Sequence, residues 1–234
     1  DQLAHRGPDD SGVWFDNDFG VGLSHRRLSI IDLSAQGHQP MFSTSGRFVI
    51  AYNGEIYNHQ ELKKELLQAG VIFRGGSDTE VLLAAIESWG IKQTLRRCIG
   101  MFAFSLWDKK EQTLSLVRDR IGEKPLYYGW QGKGAKRTFL FGSELKSLRK
   151  HPSWQGGVDR DALANLLRYN YIPAPQTIHP GIYKLRPGHL LKLKKNNGEW
   201  SEREECWWSL QEVAQQSRKN PFTGSRADAV DHLD

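Results

Sequence analysis

The stretch AYNGEIYNH, residues 51–59, decides the fold class because its texture changes in the middle. A β-prone run, FVIAY at 48–52, leads into Asn53-Gly54, and Glu55 leads out through IYNH toward a segment of helical period. An NG dipeptide most often makes a two-residue hairpin turn. Here no second strand follows: Asn58 stands in an N-cap place with Glu61 three residues on, and LKKELLQAG runs to a stop at Gly70, the pattern of a capping box and a glycine terminus. The stretch therefore reads as strand, loop and helix, with NG as a site in the loop. Asn53 brings a side-chain N–H, and Gly54, lacking a Cβ, lets an oxygen approach its backbone N–H. One helix length on, GGSDTE at 75–80 opens a second helix at Ser77 or Asp78, continuing as TEVLLAAIESWG to Gly90. Apolar on most faces, it is expected to be buried.

Working outward, short apolar segments bounded by turn residues predict strands at 12–15, 20–24, 48–53, 101–107, 113–118, 126–130 and 138–142. The pairs flanking DKKEQ and QGKGAKR read as hairpins, so the strands are antiparallel, and helices are at hand to cover them. This predicts an α+β fold of layered sheets. After residue 148 the texture shifts: HPSWQGG is a linker or turn, Asp159 can cap RDALANLLRY, and a proline-rich run follows. We place a boundary near 150, with residues 1–150 as one domain and 151–234 as a segment leading into a further domain.

Bulk properties exclude several classes. With 234 residues, 38% apolar and 25% charged, the chain can bury a sizeable core. Its longest apolar runs, VLLAAI and IGMFAFSLW, fall far short of the ~20 residues of a membrane span. The charge of +5 is scattered, and KGAKR and KLKK read as solvated hairpin rims rather than a nucleic-acid stripe. Two cysteines give no disulfide framework, and eight histidines show no metal-ligand spacing, which fits a reducing, cytoplasmic compartment. Cys98 abuts IGMFAF and Cys206 sits beside Trp207 and Trp208, so both are expected to be buried and inert.

Cleaving a carboxamide demands a nucleophile, a base and preformed donors for the tetrahedral oxyanion. Asn53 and Gly54 can supply the donors. A free amino acid also needs its charged ends held: the planar guanidinium of Arg27 suits an α-carboxylate in a two-pronged way, and Asp78, supported by Glu55, suits the α-ammonium. Asp78 serves equally well as a plain N-cap, and Arg26 and Arg27 as a solvated strand end.

It is the combination, together with HRGPDDSG at 5–12 and SHRRLSIID at 24–32, that resembles the class II glutamine amidotransferases, and more narrowly the glutamine-dependent asparagine synthetases. GMFAFSLWD from 100, RDRIGEKPLYYG from 118, FGSELKSL from 141 and YIPAPQTIHPGIYKLRPGHLL from 171 are similar to that family in the same order. The resemblance implies an N-terminal nucleophile type sandwich of two mainly antiparallel sheets covered by helices. It implies a glutamine pocket made by Arg27, Asn53, Gly54, Glu55 and Asp78, with Asn53 and Gly54 as the oxyanion hole. It places RDRIGEKPLYYG near the route by which ammonia leaves. Read from the residues alone, that segment is a turn with Arg118, Asp119 and Arg120 as surface charge pairs, and Glu144 and Lys146 serve structure.

In the family the nucleophile is an N-terminal cysteine whose α-amine is the base. This chain begins at Asp1, so the first strand and the cysteine are expected to be missing and the fragment inactive. No SGGxDS or Walker-type loop occurs, so ATP and Mg belong to a missing C-terminal synthetase domain, and this fragment carries no cofactor and no metal. The expected partners are glutamine and that domain, with no nucleic acid and no membrane. A homodimer is left open. The amide acceptor is expected to be aspartate, with a sugar acid or another carboxylate as alternatives. The other class of reading is a non-catalytic scaffold or ligand-binding domain.

Overall fold

The computed structural model describes residues 2–30, 32–196 and 199–231. Ile31 of SHRRLSIID, the tip of the LKLKKNNG hairpin at 197–198 and the end of the chain at 232–234 lie outside them. In chain order the elements are β1 (Asp10–Asp16), β2 (Val21–Arg27), β3 (Met41–Phe42), β4 (Phe48–Ile56), α1 (His59–Gln68), α2 (Asp78–Trp89), α3 (Ile91–Arg97), β5 (Gly100–Asp108) and β6 (Thr113–Arg118). There follow β7 (Tyr127–Gln131), β8 (Thr138–Gly142), α4 (Leu145–Leu148), α5 (Arg160–Tyr169), β9 (Ile182–Lys184), β10 (His189–Asn196), β11 (Glu199–Cys206), α6 (Leu210–Lys219) and α7 (Arg226–Asp231).

An antiparallel sheet of order β11-β10-β6-β5-β4-β3 forms the centre. Its central strand β5 is buried on both faces, which is why GMFAFSLWD shows no polar alternation, whereas the edge strand β11 is largely exposed. Phe102 and Phe104 of β5 point toward Leu62, Leu66, Leu82 and Leu83 of α1 and α2. Ala103 and Trp107, the alternate residues, pack with Leu23, Leu126 and Tyr128 on the other side. That second layer consists of two pieces, the β1-β2 pair and the sheet β8-β7-β9. The layered α+β architecture is as expected from the sequence. The hairpins at DKKEQ and QGKGAKR close with Asp108 opposite Thr113 and Gln131 opposite Thr138.

Several local expectations are corrected. Strand β4 does not end at Asn53 but runs to Ile56, so Asn53 and Gly54 are strand residues opposite Ala103 and Phe102. The reason is steric: a Cβ on Gly54 would meet the Met101 carbonyl oxygen at 2.3 Å, so only glycine lets β5 come this close. Asn58 occupies the N-cap of α1 without capping it. Its amide instead donates to the Arg97 carbonyl at 3.0 Å and accepts from the Ile99 N–H at 2.9 Å, two partners at and just past the end of α3 that satisfy both ends of the side chain. Helix α3 itself was not anticipated. Cys98 is buried, but Cys206 is exposed at the end of edge strand β11. Strand β9 pairs with β7 and β10 with β6, so the sheets continue past residue 150.

Glu144, just before α4, gathers the start of the chain: Oε1 accepts from Arg6 at 3.0 Å and lies 3.1 Å from His5 Nε2, and Oε2 lies 3.0 Å from Lys146 Nζ. Burial works against the charged carboxylate, but the bonds from Lys146, Arg6 and His5 outweigh it and hold its pKa at about 2. A carboxylate depressed in the folded state contributes stability above its unfolded pKa, and that contribution fades as the group is protonated. The turn at Ala4–Arg6 is therefore expected to stay docked at neutral pH and to loosen between about pH 4.5 and 2. Amide exchange of Arg6, whose N–H donates to Leu3, measures this; Glu144→Gln should show the loosened exchange already at pH 7.

Candidate functional site

Residues Arg27, Asn53, Gly54, Glu55 and Asp78 all line one cavity of about 980 Å³, which runs between the central sheet and the two pieces of the second layer. Side chains alternate along β4, so Asn53 and Glu55 share the face of Val49 and Ala51, whose side chains pack into the core between the layers. The N–H groups of residues 52, 54 and 56 point to the opposite edge from those of 53 and 55. Tyr52 N–H donates to Gln39 Oε1 at 2.7 Å and Ile56 N–H to Asp78 Oδ2 at 3.0 Å. The Gly54 N–H lies between these two, on the edge of β4 that β3 does not reach, since β3 pairs only with Val49 and Ile50.

The Asn53 Nδ2 atom is buried without a hydrogen-bond partner. A buried amide donor left unpaired costs about 1–3 kcal/mol, so its presence beside a cavity calls for a ligand acceptor. Asn53 thus offers a donor that the fold itself does not use.

Arg27 ends β2 and is buried, 8% exposed. Its Nη1 donates to the Ser34 carbonyl at 2.9 Å and its Nη2 to the Asp32 carbonyl. The loop can wrap this closely because residue 37 is glycine; a Cβ there would fall 2.0 Å from Nη2. A guanidinium has five N–H donors, so these two bonds aim the group and leave capacity for a ligand. The solvated strand end is not what the structure contains.

Asp78 is buried at the first position of α2. The capping role belongs to Ser77, whose hydroxyl accepts from the Glu80 N–H at 3.2 Å. Glu80 folds back onto the N–H groups of Arg74 and Gly75, and Asp32 accepts from Gly76, so the GGS turn is held without Asp78. Asp78 Oδ2 accepts from the Tyr52 hydroxyl at 2.8 Å and from Ile56, while Oδ1 keeps acceptor capacity. Burial, then the neighbouring Asp78 charge, push the Tyr52 phenol well above its usual range, so it stays a donor.

Residues not anticipated from the sequence are Tyr52, Gln39 and His25. The signal for His25 was its place two residues before Arg27, on the same face of β2. Neither cysteine lines the cavity. Cys98 lies in the core on the helix side, where burial pushes its thiol up to about 12. Among the described residues no group of three or more His, Cys, Asp or Glu stands together as a metal site, and no helix is long and apolar enough to cross a membrane.

Residues 1–208 match the family model described as a glutamine amidotransferase domain. The asparagine synthetase [glutamine-hydrolyzing] 3 of Bacillus subtilis is 40% identical over 199 residues, covering 84% of this chain and 31% of that protein. Amidase chry2 of Gibberella zeae is 36% identical over 214 residues, covering 90% of this chain and 30% of its own length. The chain thus spans about a third of the length of the curated relatives it matches. Among solved structures, one titled as the allosteric regulatory enzyme of purine biosynthesis superposes with a TM-score of 0.55 at 22% identity, over 81% of this chain and 35% of that one. This likeness concerns the fold alone, a layered α+β sandwich. The chain belongs to the glutamine amidotransferase domain family, in the form carried by asparagine synthetase-like proteins.

Proposed function

We propose that the cavity binds free glutamine and that the domain supplies ammonia for amide synthesis on a carboxylate, aspartate in the first instance, within a longer protein. The observation that carries this reading is the unpartnered, buried Asn53 donor, set in the same cavity as a guanidinium and two carboxylates. In this reading Arg27 grips the α-carboxylate, and Asp78 Oδ1 with Glu55 the α-ammonium. Asn53 Nδ2 and the Gly54 N–H meet the side-chain oxygen as it becomes an oxyanion.

The attacking thiol comes from outside residues 1–234, since neither Cys98 nor Cys206 reaches the cavity. The chain by itself binds glutamine without hydrolysing it. Among the described residues, strands β2 and β8 each lack a neighbour on one side, and both line the cavity, which suits a further strand between them. ATP and Mg²⁺ serve the synthetase portion of the longer protein. The free thiols Cys98 and Cys206 suit the cytoplasm. The absence of a thiol in the cavity also favours a second reading, a ligand-binding domain that supports a synthetase without hydrolysis. Glutaminase activity of the full-length protein separates the two.

The test is a split between nitrogen sources. In the full-length protein, Arg27→Ala is expected to raise the KM for glutamine by roughly 100-fold, because a buried charged hydrogen-bond partner is lost. Synthesis from added ammonia should persist, since ammonia does not need this grip. Arg27→Lys, which keeps charge but not the fork, should fall between. An equal fall in both activities would remove Arg27 from the glutamine site.

A further inference from the structure

A second buried atom in the same cavity lining is left without a partner: Nδ1 of His25. The ring's other nitrogen, Nε2, lies 2.9 Å from the carbonyl oxygen of Tyr52, the residue preceding Asn53. A carbonyl can only accept, so Nε2 carries the hydrogen and Nδ1 is a bare acceptor. Protonation of Nδ1 is opposed by the surroundings. Burial presses the pKa down, the bond to Tyr52 and the Asp10 carboxylate pull it up, and Arg27 and His38 press it down again, leaving it at about 4. Near neutral pH the acceptor is therefore present and the ring uncharged.

Among the described residues the cavity lining thus contains one orphaned donor, Asn53 Nδ2, and one orphaned acceptor, His25 Nδ1, the His25 ring being anchored to the carbonyl of the residue just before Asn53. A primary carboxamide is the small group with the reverse pattern, an oxygen that accepts and an NH₂ that donates. A carboxylate has two acceptors and nothing to give. We propose that His25 determines specificity for the carboxamide over the carboxylate: its Nδ1 takes a hydrogen bond from the substrate NH₂ while Asn53 Nδ2 gives one to the substrate oxygen. This rests on the reading of the cavity as a glutamine site and adds the means by which the product glutamate is refused. Sites built to bond a particular polar group reject an analogue lacking it, because their own buried atoms stay unpaired.

Two substitutions separate the ring's two nitrogens. In His25→Gln the amide nitrogen can replace Nε2 and hold the Tyr52 carbonyl, but nothing stands at Nδ1. In His25→Asn the oxygen stands where Nδ1 was, and the bond to Tyr52 is lost. Calorimetric titration of the 234-residue chain, which binds without turnover, with L-glutamine and with L-glutamate gives the ratio of the two dissociation constants, which does not depend on the folded fraction. The wild type is expected to favour glutamine. His25→Gln should reduce that preference by roughly ten- to a hundred-fold, and His25→Asn should keep it within a few-fold. An unchanged ratio in His25→Gln, with glutamine still bound, would overturn the role of His25 and leave the glutamine site standing. Equal loss of preference in both variants would make His25 a structural residue and also overturn it. Binding of neither amino acid by the wild type would overturn the site itself.

Discussion

Asp119→Ala is expected to lower the folding stability by roughly 3–5 kcal/mol, because it strips the acceptors from several buried backbone donors at once. Asp119 is completely buried, and its carboxylate accepts five backbone hydrogen bonds. Oδ1 takes the N–H groups of Ile121, Gly122 and Glu123 at 3.1, 2.6 and 3.0 Å. Oδ2 takes those of Lys124 and Phe102 at 3.0 and 3.2 Å. Successive N–H groups turned inward form an anion-binding nest, so the carboxylate is what allows the loop after β6 to curl and stay joined to β5. Alanine leaves these donors facing an apolar void, where each unpaired group costs about 1–3 kcal/mol less whatever water can enter. Asn in place of Asp119 keeps one acceptor oxygen and turns an NH₂ against backbone donors, so about half the loss is expected. Urea denaturation read at constant m-value measures both. A loss below about 1 kcal/mol for Asp119→Ala would mean that water replaces the carboxylate freely.

The neighbours of Asp119 complete the same device from the other side. Arg118 donates to the carbonyls of Lys124, Gly122 and Leu185 at 2.8, 2.6 and 2.7 Å. Arg120 donates to those of Cys98 and Arg96 at 2.6 and 3.0 Å. These three residues are not the surface charge pairs that the sequence suggested; they bond to backbone. A run of alternating charges looks solvated when nothing in the sequence says which carbonyls will surround it. The loop they hold carries Lys124 and Leu126 to the wall of the cavity, so a stability defect here is expected to reach the ligand site as well.

What could be read from the sequence depended on range. The hairpins were legible because both partners and the turn lie within about 20 residues, and α2 was legible from its cap and its apolar run. Features set by distant backbone were not. The true extent of β4 depends on Gly54 fitting against Met101, and the placement of Asn58 depends on Arg97 and Ile99. Cys206 was expected to follow its tryptophan neighbours inward. Only Trp207 is buried, and Cys206 stays on the exposed edge strand, its thiol donating to the Trp208 carbonyl at 3.2 Å. The five site residues were chosen from the chemistry that a free amino acid and a carboxamide require, the family resemblance joined them into one pocket, and the structure sets all five around one cavity. The geometry that frees Asp78 from capping, with Ser77 in its place, needed coordinates.

In the full-length protein, Asn53→Ala is expected to lower kcat for glutamine hydrolysis by roughly 100- to 1,000-fold, the loss that follows removal of one oxyanion donor. The Nδ2 atom makes no hydrogen bond within the fold, so its removal breaks no internal bond and relieves an unpaired donor, and the unfolding midpoint should stay level or rise. That sets Asn53 apart from Asp119, where the fold depends on the side chain. It also sets it apart from Arg27, whose loss should appear in KM. A donor aimed at an oxygen that gains charge only in the transition state contributes little to binding of the ground state, so KM should move by only a few-fold. Asn53→Asp retains the shape but replaces the donor with an acceptor and a negative charge, and should fall at least as far as alanine. Ammonia-dependent synthesis is the internal control and should be preserved in both variants. A rise in KM with kcat intact would instead make Asn53 a ground-state contact only, and the oxyanion role would pass to the Gly54 N–H alone.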